Sequence, residues 1–217
     1  MPAESLKFLQ EEAQRLTEEN RRLRDELQAL RKSVQALSEL YAISQDITPD
    51  TDVLKLLGEI LNASLTVLKA SDGSLLLLDD QSGDLVFTVV RGVASGKLVG
   101  YHLPKGQGIA GWVVTNRQPQ IVLDVRHDPR FFSKVDESLG FQTHSMVSVP
   151  VQLDNGRVLG VIEVLNKTSD HEFTQDDLEL MLIVAQLAAT AMRRAERAAE
   201  VIERRSALLQ KRPASTR

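Results

Sequence analysis

The chain of 217 residues has room for one domain of ordinary size plus extensions. Its apolar content of 42% and charged content of 26% suit a soluble globular protein, and a net charge of −4 builds no positive field for nucleic acid. With no cysteine it holds no disulfide, thiolate nucleophile, cysteine-ligated zinc or thioether-linked chromophore. The opening residues lack the basic and apolar regions of a signal peptide, and no uncharged apolar run nears the roughly 18–20 residues that span a bilayer. A cytoplasmic protein without a membrane partner is the expectation.

Residues 6 to 41 carry a heptad. Leu9, Leu16, Leu23, Leu30 and Leu37 recur every seventh residue, with Asn20, Leu27 and Val34 among the positions between them. A sustained seven-residue repeat predicts a left-handed coiled coil, and leucine at d with one asparagine at a favours two parallel strands. Glu19 and Arg24, like Glu26 and Arg31, occupy g and e positions that pair across a parallel dimer. A homodimer is therefore expected, with residues 1–42 as its coiled coil.

Thr48-Pro49-Asp50 breaks this helix. Thr51 or Asp50 is placed to cap a second one over Asp52 to Lys69, with Ser71-Asp72-Gly73 turning into a strand at Ser74–Leu78. Further strands are expected over Asp84–Arg91 and Lys97–Leu103. Gly106 to Gly111 matches GxGxxG and opens a short helix from Ile109 to Thr115, but Gln118-Pro119 stops it too soon for a dinucleotide-binding crossover. What survives is a glycine-flanked helix start whose free N–H groups suit an anion.

A short strand at Gln120–Leu123 leads into a polar excursion, Asp124–Phe141, long enough to be a functional lid. Then come two valine-rich runs, Met146–Leu153 and Val158–Leu165, separated by Asp154-Asn155-Gly156-Arg157: a β-hairpin around which the domain is organised. Its first strand has a drier face made of Val147, Val149, Val151 and Leu153. Glu163 interrupts an otherwise apolar second strand, so it pairs with something or looks into a cavity. After a polar turn, Phe173-Thr174-Gln175-Asp176 caps a last helix from Leu178 to Leu209, whose second half outruns one domain and is expected to pair with a symmetry mate. The end from Arg212 reads as a disordered tail.

No assembled active site is legible. There is no GxSxG, no HExxH and no complete phosphate loop, since Gly92–Lys97 is one residue short and Leu98 stands where Ser or Thr is needed. The four histidines are scattered, so no catalytic or metal-ligating set is assigned.

Four stretches carry a resemblance: GIAGW from Gly108, VDESLGFQT from Val135, SVPV from Ser148 and GVIEVLNK from Gly160. Together they resemble a GAF domain over roughly residues 40 to 195. The resemblance implies an α+β fold of PAS-like type: a central antiparallel sheet with helices on one face, a pocket under loop helices on the other, and long flanking helices. Domains of 43–192 and 193–217 follow the coiled coil on this reading. The pattern is most similar to the cyclic-nucleotide-binding GAF domains of phosphodiesterases and adenylyl cyclases. It implies ligand-binding roles for Ser74, Ile109, Ala110, Asp136, Thr143 and Glu163. Arg91 stands where the family has an aspartate that helps read the purine, and would shift preference toward a more anionic ligand. Leu139 replaces a lid threonine. Asn166, Lys167, Phe173 and Asp177 match the family's NKFDE signature, with Leu178 in place of its glutamate; Lys167 is equally suited to pair with Asp177 and lock the last helix. The implied function is a non-enzymatic sensor for a cyclic nucleotide or another small anionic ligand, signalling to a kinase, cyclase or response regulator in trans. The alternative is a ligand-free adaptor that recruits its partner through the coiled coil.

Overall fold

The computed structural model describes residues 2–45, 51–93, 95–168 and 171–210. The Thr48-Pro49-Asp50 break and the tail from Arg212 lie outside them, as do the side chains of Leu37, Leu139 and Ile202. One helix, α1 (Pro2–Gln45), carries the whole heptad, and at 1.5 Å per residue it is about 66 Å long. Helix α2 (Val53–Leu68) follows. Its cap is Asp52, one residue beyond the expected Thr51 or Asp50, because the Asp52 carboxylate reaches the Lys55 N–H at 3.0 Å.

Six strands form one antiparallel sheet in the order β3-β2-β1-β6-β5-β4. They are β1 (Ala70–Leu78), β2 (Leu85–Arg91), β3 (His102–Leu103), β4 (Gln120–Val122), β5 (Met146–Gln152) and β6 (Val158–Lys167). Two expectations are corrected here. Strand β1 starts at Ala70, not Ser74: the chain reverses one residue earlier, at Lys69, whose left-handed backbone (φ 51°) ends α2. Lys97–Leu103 is not one strand. Ser95–Leu98 is a helical turn, α3, and Gly100 at φ +86° bends the chain so that only His102–Leu103 joins the ladder. The Gly100 N–H still reaches the Phe87 carbonyl at 2.8 Å, so the loop remains fastened to β2.

The sheet separates two cores. On one face Leu57, Ile60 and Leu61 of α2 and Met181 and Val184 of α6 (Gln175–Gln210) pack on Leu75, Val149, Ile162 and Val164. Each such fully buried aliphatic side chain is worth about 1.5–3 kcal/mol of transfer free energy. On the other face Leu76, Phe87, Met146 and Val161 meet α4 (Gly108–Asn116), a 3-10 turn at Val125–His127 and α5 (Lys134–Leu139). The period-two alternation of β6 decides this split. Ile162 and Val164 point to the long helices, and Val161, Glu163 and Leu165 to the side of α4 and α5. Strand β5 is drier than its sequence suggests, since Met146, Ser148 and Pro150 are buried as fully as the valines between them.

The helix α6 is locked onto the sheet at both ends of the hairpin. Lys167 pairs with Asp177, donates to the Glu172 carbonyl at 3.2 Å and lies 5.3 Å from the Phe173 ring centroid. Asp177 also accepts from the Thr174 N–H at 2.8 Å, while the Thr174 hydroxyl accepts from the Asp177 N–H at 3.3 Å, a reciprocal cap. At the turn, Asp154 meets Arg193 at 3.2 Å, and Arg157 pairs with Glu196. Leu178, where the signature has glutamate, is buried in the helical core.

Candidate functional site

A cavity of about 90 Å³ lies between the sheet and the segment that runs through α5. Its floor is a row across three strands. Ser74 of β1 and Ser148 of β5 both stand opposite Glu163 of β6 in the ladder. The Ser148 hydroxyl donates to Glu163 Oε1 at 2.9 Å and the Ser74 hydroxyl reaches Oε2 at 3.4 Å. Glu163 is only 6% exposed, and burial pushes its carboxyl up to about 7, against the lowering effect of the two serines. Glu163 thus does both things its position required: it pairs, and it faces a cavity.

The wall opposite is the lid. Asp136 of α5 accepts from the Thr143 N–H at 2.6 Å and from the Thr143 hydroxyl at 3.0 Å, closing a loop over the cavity. Asn166, at φ 56°, holds the lid's exit: its side chain accepts from the His144 N–H at 2.7 Å and donates to the Gln142 carbonyl at 2.9 Å. Earlier in the lid, the Arg126 guanidinium beside Asp124 and that of Arg130 beside Asp128 hold both carboxyls below their usual range. Arg130 also covers the ring of Trp112, the chain's single tryptophan, at 4.6 Å.

At the cavity's edge Gly108, Ile109 and Ala110 begin α4. Gln107 gives no side-chain cap, so the first N–H groups of this helix are served by none from that position. Gly111 must be glycine for this start to form, since a Cβ there would stand 2.4 Å from the Gly106 carbonyl carbon.

The structure therefore brings Ser74, Ile109, Ala110, Asp136, Thr143 and Glu163 to one cavity. Arg91 borders it too, but its guanidinium lies on α2, where Gly58 leaves room for it, and donates to the Val90 carbonyl at 3.1 Å. It is not aimed at the cavity as an anion clamp. Asn166, Lys167, Phe173 and Asp177 lie outside the cavity and fasten the lid and α6. Sequence reasoning missed Ser148, whose hydroxyl is indistinguishable by pattern from any polar strand residue, and the aromatic wall of Phe87, Phe131, Phe132 and Phe141. Among the described residues, no group of three or more histidine or acidic side chains is placed to hold a metal, and no helix is long and apolar enough to cross a membrane.

This architecture is matched by known proteins. A family model described as GAF domain covers residues 50–193, and the chain belongs to that family. It thus carries a small-molecule-sensing, regulatory type of module. A dual 3′,5′-cyclic-AMP and -GMP phosphodiesterase 11A from Takifugu rubripes is 27% identical over 164 residues. That match covers 70% of this chain but only 18% of the phosphodiesterase, so this chain spans a small part of that relative. Among solved structures, the GAF domain of a phosphoenolpyruvate-protein phosphotransferase from Coxiella burnetii superposes with a TM-score of 0.67 at 20% identity, covering 79% of this chain and 98% of that one. Free methionine-R-sulfoxide reductase from Neisseria meningitidis, solved with its substrate, gives 0.59 at 20% identity over 78% and 91%. Both likenesses are of fold.

Proposed function

We propose that the chain is a non-enzymatic sensor: its cavity takes a small ligand, and a parallel homodimer of its long helices reports occupancy. The observation that carries this reading is the buried Glu163 carboxyl set in the floor of a cavity whose roof is closed by hydrogen bonds between Asp136 and Thr143. A carboxylate is costly to bury, and a fold that keeps one facing a cavity is arranged for something to meet it. Occupancy would reorder the lid, Asp124–Thr143, and shift α6 through the hairpin. That mechanism requires the ligand to bind two states of the dimer with different affinity.

Support for the dimer comes from α1. Leu9, Leu16, Leu23, Leu27, Leu30 and Val34 stand 47–63% exposed, a seam that a second copy in register would cover. The division into coiled coil (1–42), GAF domain (43–192) and helical extension (193–217) belongs to the same proposal, as does an output partner such as a kinase, cyclase or response regulator. The phosphodiesterase relative supports a cyclic nucleotide as one candidate occupant. Such a ligand needs a site of roughly 300 Å³ or more, so the lid would have to swing outward first. The small, largely apolar cavity also gives the ligand-free adaptor its support.

Two measurements test this. Leu23→Pro, which breaks α1 in mid-seam at a cost of about 3 kcal/mol or more, should convert a dimer to a monomer by light scattering. An unchanged mass would sink the seam. In a thermal-shift screen of cyclic nucleotides, cyclic dinucleotides and amino acids, a true ligand at 100 times its dissociation constant stabilises by about 2.7 kcal/mol. Thr143→Ala should weaken that response. If no small molecule raises the melting temperature, the adaptor reading replaces the sensor.

A further inference from the structure

The chemistry of the cavity wall points to a class of ligand, and this step rests on the sensor reading. We infer that the cavity is built for a small organic amine: an ammonium group set against Glu163, with a short apolar tail against the phenylalanines.

The charges decide the sign. Three carboxylates line the cavity, Asp72, Asp136 and Glu163, against one cation, Arg91, which is turned onto α2. Each of the three accepts two hydrogen bonds, but not equally good ones. Asp72 accepts from the Val93 N–H at 2.8 Å and from the Ser71 hydroxyl, and Asp136 holds Thr143. Glu163 is held by two serine hydroxyls at 2.9 and 3.4 Å, the second the longest contact on any of the three carboxylates, and a carboxylate offers about four acceptor positions. It is the carboxylate of the three held most loosely by the protein. An ammonium group supplies three donors and the opposite charge.

The walls agree. Four of the chain's six phenylalanines, Phe87, Phe131, Phe132 and Phe141, line this one cavity. Aromatic faces accept a cation as well as an alkyl chain. The nearest example is Lys134, outside the lining, whose ammonium sits 5.8 Å from the Phe132 ring centroid. The partial positive charge at the start of α4 favours an anion, but at about half an elementary charge it is outweighed by the carboxylates. Size narrows the class further. A cavity of about 90 Å³ is well below the roughly 300 Å³ of a drug-sized ligand site, which restricts the class to small molecules.

The test is a charge series of one shape on the full wild-type chain at pH 8: isobutylamine, isobutanol and isobutyrate, by calorimetry. The amine should bind at least about tenfold more tightly than the alcohol, the gain expected of a charge-assisted hydrogen bond in a dry site. Isobutyrate should give no heat. Glu163→Gln should bring the amine down to the level of the alcohol. The wild-type series decides the matter even if that variant does not fold. Equal affinity across the series, or tighter isobutyrate, overturns the amine inference. A cyclic nucleotide that binds where isobutylamine does not overturns it too, yet leaves the sensor standing. Failure of every probe removes both.

Discussion

Gly160→Ala should destabilise the fold by about 3 kcal/mol or more, the upper end of what overpacking costs, because the clash is with backbone. A Cβ at Gly160 would stand 2.0 Å from the Leu76 carbonyl oxygen and 3.0 Å from Leu77 Cα. Gly160 pairs with Leu77 of β1 on one side and Val151 of β5 on the other, so the central strand has no free edge toward which to move. Relief would require the β1–β6 ladder to separate three residues from Glu163, and the pocket floor would go with it. The control is Gly96→Ala in α3, where nothing lies within 4 Å of the added carbon. Alanine there should be neutral or stabilising by up to about 1 kcal/mol, since it restricts the unfolded chain. Urea denaturation of the three proteins checks this. Equal midpoints for Gly160→Ala and wild type would show that the sheet centre yields far more easily than its geometry implies.

The contrast between these glycines also explains what could be read without coordinates. The hairpin at Met146–Lys167 was legible because alternation, valine and an Asn-Gly turn all point the same way, and the 3-4 spacing over residues 6 to 41 made α1 equally plain. Lys97–Leu103 was misread because its apolar residues suit a strand, while the bend comes from the backbone of Gly100, which hydropathy does not report. For the site, a resemblance in short motifs named Ser74, Thr143 and Glu163, and the fold brings the three to one cavity. It named Arg91 as well, which borders the cavity but has its guanidinium on α2 for a physical reason. A long side chain can lie on either side of a sheet edge, and the space that draws it onto α2 is an absent side chain, at Gly58, 33 positions away. Ser148 and the four phenylalanines converge only through tertiary packing, and no local pattern marks them.

The protonation of Glu163 gives the second large effect, and its sign follows from burial. The carboxyl titrates near 7 in the folded protein and at its ordinary 4.5 in the unfolded chain. Between those values the native state holds a proton that the unfolded state has lost, so stability falls as pH rises through this window. Below 4.5 both states are protonated and the contribution is fully present; above 7 both are ionised and it is gone. At about 1.4 kcal/mol for each pH unit, the loss is roughly 3 kcal/mol. Glu163→Gln keeps the shape and a neutral group at all pH values, so it should not show this slope. The difference in unfolding free energy between variant and wild type should therefore move by roughly 3 kcal/mol in the variant's favour from pH 4.5 to pH 8. Groups common to both proteins, such as Asp124 and Asp128, cancel in that difference. A difference that stays flat with pH would mean that water or a counter-charge already reaches Glu163. If it rises as expected, the pocket at neutral pH holds a carboxyl poised between two charge states. A cationic ligand would then bind by taking the place of that proton, and a neutral one would not need to.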